Sequence, residues 1–367
     1  MSHAETPTRS GGTVVVTGGA GFIGTAISGA LADAFDRVVV VDSLHPQVHA
    51  HQDRPASLDA RAELVVGDVT RADVWDAVLA DASVDVVVHL AAETGTAQSL
   101  AESTRHTMTN VVGTSQMLDA LSRHAQSPRR IVLTSSRAVY GEGAWRPSDG
   151  GDLFYPGQRS HAQLQRAEWD FPGSEPTPMR ASNVFPAPVS VYGATKLAQE
   201  QIVRAWALSY GVEAAVLRLQ NVYGRGQSLI NPYTGIVSLF CRLAKEGRSI
   251  PLYEDGEVRR DFVSIADVSR AVVAATVGPV TGAEAIDIGS GETQTIAGAA
   301  RLVAEHYGAP APHVTGQFRD GDVRHAWADV SRARDLLGWE PRVSLREGIA
   351  DLARWIDSED RTGPDGP

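Results

Sequence analysis

The chain has 367 residues, 43% hydrophobic and 21% charged, which suits a globular protein with room for one large or two modest domains. Its net charge of −11 offers no broad cationic face and argues against nucleic acid as a partner. The single Cys241 rules out an intrachain disulfide and no apolar run approaches a membrane span, so a cytoplasmic protein off the membrane is expected. Residues 1–12 are polar and show no signal peptide.

Thr13–Thr17 is apolar and β-branched, the pattern of a buried parallel strand. It runs into Gly18-Gly19-Ala20-Gly21-Phe22-Ile23-Gly24 and a helical pattern from Phe22 to Ala34. Strand, glycine loop and helix in this order form a dinucleotide-binding signature. Gly18 permits the tight turn, Gly21 lets backbone approach a pyrophosphate, and Gly24 lets the helix pack on the strand. The helix start at Phe22 and Ile23 offers free amides to phosphate. A second strand, Arg37–Val41, ends in Asp42. That carboxylate accepts from an adenosine ribose diol and repels a 2′-phosphate, and the following Ser43-Leu44-His45 supplies no Arg, so NAD is the expected cofactor.

Further apolar runs at 62–66, 84–90, 130–135 and 213–219 alternate with helical stretches at 71–81, 104–125 and 192–210. This predicts an α/β fold, a doubly wound parallel sheet with helices on both faces. Beyond Gly224 the rhythm breaks into shorter elements, read as a smaller mixed substrate domain. Helix 265–277 and strand 284–288 are expected to pack back near the sheet. The predicted division is 12–224 for cofactor and 225–357 for substrate, with flexible tails at 1–11 and 358–367. Residues 145–190, rich in Pro, Gly, Ser and aromatics with one short helix near His161–Trp169, form a long insertion. It enters after Ser136 and leaves before Tyr192, so it is read either as a lid over the substrate or as a surface elaboration.

Within Val191-Tyr192-Gly193-Ala194-Thr195-Lys196, Tyr192 and Lys196 lie four apart on one helix face. An ammonium there lowers a phenol's pKa, so that the phenolate takes a proton from a hydroxyl near neutral pH. Such spacing also recurs by chance on solvated helices; the glycine loop upstream gives it meaning. Ser136 is the candidate hydroxyl that orients the reacting oxygen, with Thr134 and Ser135 as alternatives of register.

These pieces in this order resemble the extended short-chain dehydrogenase/reductase family, in its Rossmann-type nucleotide-sugar epimerase and dehydratase branch, from about Thr13 to about Trp355. The resemblance implies further roles. Asp68, in Gly67-Asp68-Val69, stands where the family places an Asp on the adenine. The run from Val86 through Leu90, Ala91 and Ala92 resembles the strand and turn beside the nicotinamide ribose, and Asn110 stands on the next helix as in family members. Arg218–Gly224 resembles a substrate-contacting strand and loop. Asn221 and Arg260 would then hold the diphosphate, although Arg260 followed by Asp261 also suits a structural pair. Asp322 matches a position on the nucleotide ribose. Thr94, Thr96 and Gln98 are candidate sugar contacts, and Arg137 faces either sugar or insertion. A nucleotide-diphosphate sugar is the implied substrate. A homodimer is implied through helices 104–125 and 192–210, unless Val111, Met117, Leu118, Leu121, Ile202, Trp206 and Leu208 only fill the core. The scattered histidines and Cys241 form no metal set, so no metal is expected.

Dehydratases of this branch carry an acidic residue just before Val/Leu-Tyr-Gly. Here the run is Ser136-Arg137-Ala138-Val139-Tyr140-Gly141, with no acid, leaving only Glu142 or Glu93 as outside sources of a carboxylate. What remains is hydride chemistry at one carbon: a 4-epimerase that retains NAD, or a 4-ketoreductase that exchanges NAD(P)H. The runs at 94–99, 136–143, 220–228 and 231–236 resemble those of dTDP-L-rhamnose 4-epimerases, favouring a dTDP-6-deoxyhexose. A non-catalytic NAD-binding regulator is the reading from another class; such proteins usually lack the Tyr or the Lys, and both are present.

Overall fold

The computed structural model of the chain describes residues 10–49, 51–81, 83–229, 235–279 and 285–362. Seven strands form one sheet: β1 (Thr13–Thr17), β2 (Arg37–Asp42), β3 (Glu63–Val66), β4 (Val86–His89), β5 (Arg130–Ser136), β6 (Glu213–Leu219) and β7 (Ala285–Ile288). Their order is β7-β6-β5-β4-β1-β2-β3, and every pairing is parallel. Along β1, Val14 and Val16 enter one apolar cluster with Ile27 and Leu31 of helix α1 (Phe22–Ala34), while Val15 enters the other with Met117 and Leu121. Because alternate side chains serve opposite faces and both are covered, these strands read as unbroken apolar runs. The strand order reverses between β1 and β4, which opens a ligand crevice at their carboxyl ends.

The Ile265–Val277 helix packs on the α1 side, and β7 closes one sheet edge. The predicted 104–125 helix is not uniform: α-helix at Ser103–Thr107 and Gly113–Arg123 brackets a π-turn at Met108–Val112. That widened turn contains Asn110 and is of a kind often found at functional sites. The insertion helix is shorter than predicted, His161–Gln165. At the C-terminus the helix Leu345–Thr362 runs past Ser358, so 358–362 continue a helix rather than start a tail. Its Ile349, Leu352 and Ile356 pack with Phe240, Phe262 and Val303 in the core of the smaller domain. Met117, Leu118 and Leu121 are monomer core, whereas Leu208 is 84% exposed. Among the described residues, no helix is long and apolar enough to cross a membrane.

Candidate active site

The β1–α1 turn is shaped by close backbone approach. Gly18 has φ +65°, and a Cβ there would lie 2.7 Å from the Ala91 amide nitrogen. One on Gly24 would lie 2.3 Å from the Gly19 Cα. No side chain caps α1, so the first-turn amides around Phe22 and Ile23 suit an anion that follows Gly21. Leu90 and Ala91 are pinned to β1, the first donating to the Thr17 carbonyl at 3.0 Å and the second to Thr17 Oγ1 at 3.2 Å; Ala92 follows, half-buried. The buried Asp42 carboxylate accepts from the Ala20 amide at 3.0 Å and the Leu44 amide at 2.9 Å, so it ties the glycine loop to the end of β2. Asp68 is exposed beyond β3, while Val69 points into the core. Glycine cradle, helix amides and terminal carboxylate fit a dinucleotide lying across the crevice.

Ser190 caps the helix Val191–Tyr210 by accepting from the Gly193 amide at 3.0 Å. Tyr192 is fixed at its own amide, which donates to Ser99 Oγ at 3.0 Å. Desolvation raises the Tyr192 phenol pKa, opposed by a hydrogen bond with Ser136 and by the charge of Arg137. Lys196, expected to supply that charge, is buried, its own pKa pushed down to about 7 by burial and partly restored by Glu200. Ser135 is turned away, donating to Glu200 Oε1 at 2.6 Å, which leaves Ser136 beside the phenol. Arg218 grips the same Glu200 at 2.9 and 2.7 Å. Asn110 spends its amide on the protein: it accepts from the Glu93 amide at 2.8 Å and donates to Thr195 Oγ1 at 2.9 Å. It therefore braces the turn after β4 against the Val191–Tyr210 helix.

A partner that sequence reasoning missed is His89, at the end of β4. Its ring meets Thr17 Oγ1 at 2.6 Å and Thr114 Oγ1 at 2.9 Å, and Gln199 joins Thr114 at 2.7 Å. Burial and the charge of Lys196 push His89 down to about 3, so the ring is a neutral spacer under the lysine.

Thr96, Arg137, Arg260 and Asp322, separated widely in sequence, line one pocket together with Ser190. Arg137 Nε donates to Asn221 Oδ1 at 2.8 Å. The Arg260 guanidinium is held by the carbonyls of Arg259, Val323 and Arg324 at 2.8, 2.6 and 3.2 Å. Burial, then repulsion from Arg137, pushes its pKa down to about 9. Two desolvated guanidinium groups converging on one pocket are groups that could hold a diphosphate. Asp261 does not pair with Arg260; it accepts from Ser290, Gly291 and Ala328. Thr94 stands in the same turn, its carbonyl accepting from His106 Nε2 at 3.3 Å. Gln98 is not brought to this pocket but faces Gln47 and Glu102. Of the 231–236 run, residues 231–234 lie outside the described residues.

The two carboxylates that could have served an elimination are both engaged. Glu142 accepts from the Arg324 amide at 2.9 Å and lies 3.4 Å from Arg159 Nε. Glu93 is paired with Arg105 at 2.8 Å.

Residues 14–289 match the family described as NAD dependent epimerase/dehydratase. A dTDP-L-rhamnose 4-epimerase of Burkholderia thailandensis is 55% identical over 98% of this chain and 99% of its own length. Among solved structures, a UDP-glucose 4-epimerase from Thermotoga maritima with UDP-glucose is similar at TM-score 0.77 and 27% identity, covering 95% of this chain and 99% of that one. A UDP-glucuronic acid 4-epimerase from Bacillus cereus, in complex with UDP-glucuronic acid and NAD, is similar at TM-score 0.75 and 25% identity over 95% and 99%. With its glycine cradle, Asp42, Tyr192 and Lys196 in these places, the chain belongs to the NAD dependent epimerase/dehydratase family, and its cofactor is NAD.

Proposed function

We propose that this chain epimerises a nucleotide sugar at C4, interconverting dTDP-L-rhamnose and dTDP-6-deoxy-L-talose. The observation that carries this reading is the pocket lined by Arg137, Arg260 and Asp322, with Tyr192 and its partner Ser136 next to it through Arg137: together they offer a base for a hydroxyl proton and cations for a diphosphate. Glu142 and Glu93, the candidate carboxylates for dehydration, are tied elsewhere. The 55% identical relative supports the choice of sugar and nucleotide.

In this mechanism Tyr192 takes the C4 hydroxyl proton, and Ser136 holds the same oxygen. NAD, when bound, supplies the site that accepts the C4 hydride and later returns it. Arg260, Arg137 and Asn221 keep the diphosphate in place while the 4-ketose turns about it, so that hydride returns to the opposite face and Tyr192 gives the proton back. Arg137 and Ser136 oppose the desolvation of the phenol, while Lys196 lies one turn along for the cofactor ribose. The exposed Leu208, Tyr210, Met108 and Leu100, on or beside the two long helices, support a homodimer through that face. A cytoplasmic setting belongs to this reading, in keeping with a chain whose one cysteine is the buried Cys241.

The test uses purified protein without added cofactor: nucleotide released on denaturation is identified, and native protein is incubated with dTDP-L-rhamnose while NMR follows the C4 proton. Bound NAD and appearance of the talo isomer are expected. Inactivity until NADPH and a 4-keto-6-deoxyhexose are supplied would make it a ketoreductase instead. Tyr192→Phe should lower turnover by about 10²–10⁴-fold while NAD stays bound.

A further inference from the structure

Gln98 turns away from the sugar pocket, and its side chain has a different partner. The side-chain amides of Gln47 and Gln98 pair reciprocally: Gln47 Nε2 donates to Gln98 Oε1 at 2.9 Å, and Gln98 Nε2 donates to Gln47 Oε1 at 3.1 Å. Gln98 Nε2 also reaches Glu102 at 3.1 Å. Arg105 closes the cluster, donating to Gln47 Oε1 at 3.0 Å, Glu93 at 2.8 Å and Glu102 at 2.9 Å. Gln98 is only 4% exposed, so its half of the pair is shielded from competing water, while Gln47 is half-buried.

The two glutamines come from opposite sides of the dinucleotide crevice. Gln47 lies in the loop that leaves β2 just past Asp42, on the adenosine-ribose side. Gln98 lies in the short helix Thr96–Ala101 after β4, where its neighbour Ser99 holds the Tyr192 amide on the catalytic side. Strand β1, with its glycine loop, sits between β2 and β4 in the sheet. A side-chain link from the β2 loop to the β4 helix therefore joins the two elements that flank β1, whose carboxyl end carries the glycine loop.

We infer that Gln47, Gln98 and Arg105 form a clasp over the dinucleotide crevice that retains NAD between turnovers. The clasp makes no contact with the reacting carbon; these are positioning residues whose effect is on cofactor release. Such retention deepens the proposed function and rests on it, because an epimerase must return the hydride to the molecule it came from, whereas an exchanging reductase gains nothing from a closed crevice.

The test loads wild-type, Gln47→Ala, Gln98→Ala and double-variant proteins with labelled NAD, and follows its loss into excess unlabelled NAD. Each single variant should release NAD about tenfold faster, equivalent to ~1.4 kcal/mol. The double variant should be little worse than either single, since both remove the same pair. Release at the wild-type rate in both single variants, with melting temperatures of the NAD-free proteins unchanged, would overturn the clasp. Should the wild-type protein purify without NAD and require NADPH, the epimerase reading fails. The release comparison, made on NAD added to every protein, still decides the clasp.

Discussion

Two regions border the catalytic residues and are held by different forces. The cradle, residues 13–42, depends on backbone shape: apolar strands, a loop whose glycines leave no room for a Cβ, and one carboxylate that accepts two amides. The insertion, residues 145–190, has little regular structure beyond the helix His161–Gln165 and a short antiparallel pair, Trp145–Pro147 with Ser174–Pro176. It is fastened to the smaller domain by charge, buried at Arg159 and Glu254 and half-exposed at Asp170. Arg159 grips Glu254 at 2.8 and 2.9 Å, and Asp170 joins Arg324 and His325 at 3.0 Å. Trp145 packs edge-on against Phe171 and beside His325, and the Met179 amide donates to the Trp327 carbonyl at 2.8 Å. The comparison teaches that a cofactor site can be specified by local chain geometry, while the wall of a substrate site is specified by pairs far apart in sequence. The insertion reaches the pocket through Val189 and Ser190 while its body is tethered to the smaller domain, so as a lid it would move with that domain.

The largest expected effect comes from cutting the tether. Arg159→Ala leaves Glu254 and Glu142 short of a buried partner and should cost about 3–5 kcal/mol in urea unfolding. The protein that remains folded should bind NAD as before; loss of NAD binding would break the distinction between the two regions. Next, Gly18→Ala forces a Cβ onto the turn after β4 at a positive φ, a strain of about 1–3 kcal/mol that should weaken NAD binding by roughly 10–100-fold. Its effect on the insertion's tether should be slight, as hydrogen exchange over 159–170 would show.

The smallest effect in any one buffer is a slope, at the sheet edge where the insertion meets β7. Asp287 on β7 accepts from Tyr140 Oη and from the insertion's Ala181 amide, both at 2.7 Å, and burial pushes its pKa up to about 6 from an ordinary 3.8. Between those values the folded chain holds a proton that the unfolded chain has released. This group's contribution to stability is therefore full below about pH 3.8 and declines as pH rises towards 6. The melting temperature of wild type relative to Asp287→Asn should fall over that window and level off above it. A flat difference would mean that the carboxylate is ionised throughout.

The sheet was legible because its strands are written locally. Val14 to Val16, Val38 to Val41 and Val86 to Val88 are continuous apolar runs, and such runs need no distant partner to be recognised. The glycine loop, Asp42 and the Tyr192–Lys196 spacing were legible for the same reason, since each is a short-range geometric demand of strand, turn or helix. The function of individual side chains was less so. Gln98 reads as a sugar contact from its loop, and Lys196 reads as the charge on Tyr192 from its helix face. The fold turned the first towards Gln47 and set Arg137, from another element, beside the phenol.

The sequence by itself determined the doubly wound sheet, the NAD cradle and the catalytic helix, because hydrophobic periodicity, positive-φ glycines and i,i+4 spacing act within a few residues. Only the tertiary structure decided which cations share one pocket, that Glu142 and Glu93 are occupied, and what fastens residues 145–190. The insertion's ion pairs join residues 95 to 155 positions apart and Glu142 meets the Arg324 amide 182 positions on, while Glu93 pairs with Arg105 across 12; desolvation and pairing are fixed only after the core has packed.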